Sequence, residues 1–199
     1  MAASRRIGAE TSKTRAQLLD ATEHLMLREG YAAVTSRRVA AEAGVNPALV
    51  HYYFRTMDDL FLAVYRRRAE QGFERQEQAL ASRQPLWALW EFSRDPRGTA
   101  LSMEFVALAN HRPVIRAEIA ASAQRVRDRE LQAFADVLSG YGAAAEKLPP
   151  VVVAMFMSSV SRFLVIEEET LGLTTGHAET VAFVEEILRN FEGEREPGA

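Results

Sequence analysis

Cysteine is absent from all 199 residues, which excludes a disulfide framework and any thiolate metal site. That fits a reducing, cytoplasmic setting. No charged segment followed by an apolar one opens the chain, so no secretion signal is expected. Long hydrophobic runs are also missing. The longest, Leu148 to Ser161, is broken at Arg162 and falls short of the roughly 20 residues a bilayer requires, so no membrane span is expected. Nor is there an HExxH pair, a GxxxxGK[ST] or GxGxxG loop, or a GxSxG elbow. The clustered carboxylates Asp58/Asp59 and Glu167–Glu169, with His51, His111 and His177, are the best support for an all-α enzyme. They lack zinc-ligand spacing, and no catalytic role, metal or cofactor is expected. An apolar content of 48% and a charged content of 26% describe an ordinary globular chain.

What is present concentrates between Val34 and Phe61. Val39, Ala43, Val45, Val50 and Tyr53 hold buried-type positions, with small Ala40 where two steeply crossing helices must approach. Gly44 sits at the bend, where a positive φ is cheapest for a residue without Cβ. Thr35 is placed to cap a first helix, with Val34 and Val39 at hydrophobic-staple spacing. Asn46 followed by Pro47 reads as an N-cap and an N1 proline, so a second helix starts there. Thr56 caps the next, with Asp58 and Asp59 in its first turn. Short helix, glycine-containing turn and short helix make a helix-turn-helix, the unit that places its second helix in a DNA major groove.

The outward face of that second helix carries Asn46, Pro47, Ala48, His51 and Tyr52, positioned for base edges. Thr35, Ser36, Arg37, Tyr52, Tyr53 and Arg55 are placed for phosphates, which set register without reading sequence. An αα-hairpin packed inside an all-α protein is the alternative. A net charge of −3 is low for a DNA binder, but it is unevenly spread: residues 1–55 hold eight Lys/Arg against five Asp/Glu, and the remainder sixteen against twenty-two. The basic end is the end with the motif, and its modest excess implies weak, salt-sensitive non-specific binding.

Residues 1–11 read as a flexible basic arm with Arg5 and Arg6, either reaching DNA or untethered. A first helix over about Ser12–Arg28 ends at Gly30. A long helix from Thr56 to about Ala81 is followed by helices near Pro85–Arg94, Arg97–Asn110, Pro113–Ser139, Val151–Leu171 and Ala178–Phe191. Residues 193–199 read as a disordered tail. No segment reads as strand. Both final helices are amphipathic, and a two-fold dimer is the physical route to reading enough base pairs with one short helix. Phe156, Ser159, Phe163, Val181, Val184, Ile187, Leu188 and Phe191 are the candidate dimer interface, with purely internal packing as the alternative.

Residues from about Ser12 to Val64 resemble the N-terminal domain of the TetR/AcrR family of bacterial transcriptional repressors. The resemblance rests on Ala21-Thr22-Glu23 through Gly30-Tyr31, Thr35-Ser36-Arg37-Arg38-Val39-Ala40, Ala43-Gly44-Val45, His51-Tyr52-Tyr53-Phe54 and Asp59-Leu60-Phe61. Two departures stand out. Leu49 replaces a commonly small or hydroxyl residue, leaving it to touch a thymine methyl or pack inward. Met57 replaces a common lysine, so Arg55 is the substitute phosphate contact. The resemblance implies an all-α fold: a three-helix DNA-binding head (12–57, motif 36–55), then a helical ligand-binding and dimerisation domain (58–192). It implies a homodimer built from the last two helices, acting as a repressor that a small effector releases from a palindromic operator. Control by a protein partner, or no effector at all, remains open. Trp87, Trp90, Met103, Phe105, Met155, Phe156 and Phe163 are candidates for an apolar effector pocket, with Asn110 and His111 as polar contacts; for each, a plain core or surface role is the alternative.

Overall fold

A computed structural model describes residues 12–142 and 149–196; the expected basic arm lies outside the described residues. The elements are α1 (Lys13–Glu29), a short 3₁₀ turn (Tyr31–Ala33), α2 (Ser36–Glu42), α3 (Pro47–Tyr53), α4 (Met57–Leu80), α5 (Pro85–Ser93), α6 (Pro96–His111), α7 (Pro113–Ser139), α8 (Pro150–Ile166) and α9 (His177–Glu192). The described residues contain no strand. Proline opens five of these helices, α3 and α5 to α8, where its missing N–H costs nothing and its fixed φ suits the first turn.

The chain divides into two compact units. One comprises the described residues up to Glu70 with Ala100–Ala120; the other comprises Gln71–Thr99 with the described residues from Ala121 onward. The first unit's core joins Leu18, Leu25 and Met26 of α1 to Val39, Val50, Leu60, Phe61 and Val64. Leu101, Phe105 and Leu108 of α6 and Ile115 of α7 complete it. A head ending at residue 57 would therefore lack much of its own core. The apolar stripes of α4 and α6 were visible in the sequence, but a stripe does not say what it packs against. Ion pairs brace the same unit: Arg67 reaches Asp20 at 2.7 Å and Glu23 at 3.4 Å, and Arg112 reaches Asp58 at 2.5 Å.

The second unit packs Leu86, Trp87, Leu89 and Trp90 of α5 against Phe134, Met157, Leu164, Val184 and Leu188. Its α5 has no cap from its own neighbour Gln84; Glu192, at the end of α9, supplies one. The Leu86 N–H donates to Glu192 Oε1 at 2.9 Å, the Trp87 N–H donates to Oε2 at 3.0 Å, and the Tyr141 hydroxyl also donates to Oε1. A carboxylate there also faces the positive end of the α5 dipole. Burial and this carboxylate together hold the Tyr141 phenol well above its ordinary pKa. The tail expected to be disordered from residue 193 is held as far as Glu196. The Gln84 side chain donates to the Glu192 and Glu194 carbonyls and accepts from the Glu196 N–H, and Trp87 Nε1 donates to the Gly193 carbonyl. Glu192→Ala strands three donors and should cost about 2–3 kcal/mol, read as a lower urea midpoint with an unchanged slope. Glu192→Gln, which keeps one acceptor, should recover part of the loss.

Arg162 does not end the apolar helix containing it. The helix continues through a π-type turn, Glu167–Leu171, to a left-handed Gly172 (φ +67°). By length and composition, Pro150–Leu171 is long and apolar enough to cross a membrane, which corrects the expectation that this run is too short. Within it Val152, Met155, Phe156, Ser159 and Phe163 form one exposed stripe, whereas Ala154, Met157, Ser161, Leu164 and Val165 are buried.

Candidate nucleic-acid interface

The first unit builds its outer helix from the caps inward. Thr35 Oγ1 accepts the Arg38 N–H at 3.3 Å and starts α2, which buries Val39 and Ala40. Gly44 adopts φ +65°, and a Cβ placed there would meet nothing within 4 Å, so the backbone conformation, not space, selects glycine there. The Val45 N–H then returns to the Ala40 carbonyl at 2.9 Å, closing the turn. Asn46 Oδ1 accepts the Ala48 N–H at 2.8 Å and Pro47 takes the first helical position. Thr56 and Asp59 exchange bonds of 3.0 Å each, a reciprocal cap for α4.

Because α3 is pinned by Val50 beneath it, its other side is free. Pro47, Ala48, His51 and Tyr52 are exposed along it, as is Asn46 just before it. Tyr52, 49% exposed, stands edge-on against Tyr53 with centroids 5.0 Å apart and planes at 84°. Tyr53 is half-buried, and its hydroxyl accepts from Ser12 Oγ at 2.8 Å, tying α3 to the start of α1. Leu49 is half-buried, and Met57 packs against the first unit's core.

The cations are sorted by neighbouring carboxylates. Arg38 is engaged by Glu29 at 2.5 Å, and Arg28 by Glu29 and Glu42. Arg37 and Arg55 are exposed, and neither makes an ion pair with the described residues. Thr35 is exposed with its oxygen occupied by the cap, and Ser36 is half-buried beside it. Hydrogen bonds from Arg38, then Arg28, hold Glu29 below the ordinary carboxylate range; Arg28 does the same for Glu42. Depressed values stabilise the folded state above the ordinary glutamate pKa of about 4.3, and that contribution is lost as pH falls through the depressed values. Thermal melts of wild type and Arg28→Ala should therefore differ at pH 7 and converge as pH falls through the depressed values of Glu29 and Glu42. An undiminished difference at acid pH would contradict the electrostatic assignment.

One contact was not readable from sequence. The Tyr31 N–H, just before α2, donates to Glu104 Oε2 of α6 at 2.6 Å, and the same carboxylate lies against Gly30. A partner 73 residues away leaves no periodic signature.

The candidate pocket residues fall in both units. In the first, Phe105 is buried and packs edge-on against Tyr65, Met103 is half-buried, and Asn110 and His111 are exposed. In the second, Trp87 and Trp90 are core residues; Trp90 is 0% exposed, and its Nε1 has no hydrogen-bond partner among the described residues. Met155, Phe156 and Phe163 are exposed. The candidate interface residues also separate. Phe156, Ser159 and Phe163 face outward, Val184 and Leu188 are 3% exposed within the core, and Val181, Ile187 and Phe191 are half-buried. Val152, Met155 and Phe183 are further exposed apolar side chains that the sequence reading did not include among its interface candidates. For Val152 and Met155, the i, i+3, i+4 spacing with Phe156 was the available signal.

Comparison with known proteins bears directly on this geometry. Residues 18–64 match the family described as bacterial regulatory proteins, tetR family. Over 61 residues the chain is 43% identical to the HTH-type transcriptional regulator BetI of Brucella anthropi and 38% identical to that of Rhizobium meliloti. These matches cover 31% of this chain and 31% and 30% of the two relatives, so the chain spans about a third of the curated relatives it matches. Among solved structures, a putative TetR-family transcriptional regulator from Rhodococcus sp. superposes with a TM-score of 0.72 at 17% identity, covering 91% of this chain and all of that one. A putative transcriptional regulator from Saccharomonospora viridis in complex with choline superposes with a TM-score of 0.67 at 22% identity, covering 80% of this chain and 87% of that one. At these identities the likeness establishes the fold, while the specific match lies in the segment that contains α2 and α3. Residues 18–64 therefore carry a domain that matches the family described as bacterial regulatory proteins, tetR family.

Proposed function

We propose that this chain is a cytoplasmic, sequence-specific DNA-binding transcriptional regulator, acting as a homodimer on an inverted-repeat operator and released by a small effector. The observation that carries the proposal is the outward side of α3, where Asn46, Pro47, Ala48, His51 and Tyr52 are exposed on a capped turn, with Arg37 and Arg55 exposed and without an ion pair among the described residues. A repressor role follows if occupancy alone blocks the promoter.

The dimer reading is supported by the α8 stripe. Val152, Met155, Phe156 and Phe163, with Phe183 on α9, leave more large apolar side chains in water than a lone surface helix requires. Arg162 on α8 and Glu179 and Glu186 on α9 are exposed on the same two helices, a set of charges able to pair across a two-fold axis.

Effector release works as a population shift: a ligand that fits only the DNA-incompetent arrangement lowers operator affinity by its own preference between the two arrangements. The chain passes from one unit to the other within α4, α6 and α7, so a rearrangement of the second unit has continuous helices to act through. Choline is the first ligand to test, given the Saccharomonospora viridis complex. Cation recognition would need an aromatic face not already covered, since Arg94, Arg129 and Arg75 lie over Trp90, Phe73 and Phe92.

Selection of bound sequences from random duplex DNA tests the proposal. An enriched inverted repeat with half-sites about 34–36 Å apart, or a multiple, is expected. No enrichment at low salt would overturn it.

A further inference from the structure

We infer that His51 is the specificity-determining residue of α3, donating from its imidazole to the major-groove edge of a guanine in each operator half-site. The inference rests on the DNA-binding reading above and adds the identity of the base that is read.

Side chains that commonly read bases through hydrogen bonds are Arg and Lys for guanine, and Asn and Gln for adenine. The α3 segment Pro47–Tyr53 contains none of them. Asn46, just before it, has its Oδ1 committed to the Ala48 N–H, so the bidentate pairing that reads adenine is not open to it. Pro47 and Ala48 present only carbon, which suits a thymine methyl. Tyr52 has its ring held edge-on by Tyr53, which is itself bonded to Ser12. A ring fixed in that way suits the sugar-phosphate wall, where position matters more than base identity.

His51 is what remains: exposed, one turn beyond Pro47 and Ala48, on the same side of the helix. Three residues of helix rise about 4.5 Å, close to the roughly 3.4 Å between base pairs, so Ala48 and His51 address neighbouring pairs. Imidazole offers an N–H donor in either tautomer. Of the four bases, guanine presents two adjacent acceptors, N7 and O6, with no donor beside them in the major groove. A single short donor is therefore best matched by guanine.

Two variants test this in the full-length protein, using a random duplex library at one fixed salt concentration. His51→Ala should recover the same half-site spacing and the same flanking thymine preferences. The guanine position should become degenerate, with affinity for the wild-type consensus about tenfold lower per half-site. His51→Gln should move the preference at that one position from guanine to adenine. Matching circular dichroism spectra would confirm that both variants fold. A wild-type consensus without a guanine whose preference depends on residue 51, or uniform weakening at every position in His51→Ala, would overturn the inference. Failure of wild-type protein to enrich any sequence would instead overturn the DNA-binding reading itself.

Discussion

Phe156→Glu should convert the protein to a monomer and lower operator affinity by two orders of magnitude or more. Phe156 is 45% exposed at the middle of the α8 stripe, with Met155 beside it, Val152 and Ser159 one turn away and Phe163 two turns away. Because the side chain already reaches solvent, a carboxylate there costs the isolated subunit little, so helicity and melting cooperativity should be retained. Across a dimer interface the same carboxylate would be desolvated against apolar neighbours without a partner, at a cost of several kcal/mol. Loss of the second head removes the effective-concentration advantage of two linked half-sites, commonly 10²–10⁴. Sedimentation or light scattering reads the oligomeric state, and anisotropy with labelled operator reads the affinity. A variant that remains dimeric would place the interface elsewhere. The buried positions Val184 and Leu188 are poor choices for this test, since a charge at either would damage the second unit's core first.

Tyr52→Ala should weaken operator binding by roughly two orders of magnitude while sparing the dimer. Its ring is 49% exposed and contributes an edge-to-face contact with Tyr53, worth about 0.5–1.5 kcal/mol, so a modest stability change is expected. The larger effect is on DNA. Losing one positioning contact of about 1–3 kcal/mol in each half-site compounds across two subunits. Tyr52→Phe, which keeps the ring and its packing, separates the hydroxyl from the hydrophobic contribution. Unchanged affinity in Tyr52→Ala would remove α3 from the groove.

The parts of this molecule that were legible in the sequence are those set by local chemistry. Thr35, Asn46–Pro47, Gly44 and Thr56 mark helix ends through bonds made within three residues, and each is found in the structure. The all-α fold and the order of helices follow from the same signals. What was not legible depends on distant partners. Nothing in Leu101, Phe105 or Ile115 announces that they complete the core around α1 and α4. Glu104 gives no sign that it holds the Tyr31 amide, and neither does Glu192 of its cap on α5. The aromatic residues were harder still. A tryptophan at 87 or 90 has the same composition and periodicity whether it lines a cavity or fills a core, and here both are buried among Leu86, Leu89 and Met157. The exposed apolar surface was half visible: the α8 stripe was legible, but which side of α9 the core would claim was not. Apolar Val184 and Leu188 went inward, and Phe183 was left outside.

The absence of native cysteine makes one direct measurement possible. Ala48→Cys places a single thiol on the exposed side of α3, and Glu77→Cys places a control thiol on exposed α4 surface in the other unit. Alkylation rates are compared with and without duplex DNA carrying the selected operator, at low and high salt. Strong protection of Ala48→Cys by the duplex, reversed by salt, with no protection of Glu77→Cys, is the expected result. Equal reactivity of Ala48→Cys with and without saturating operator would contradict the placement of α3 against DNA.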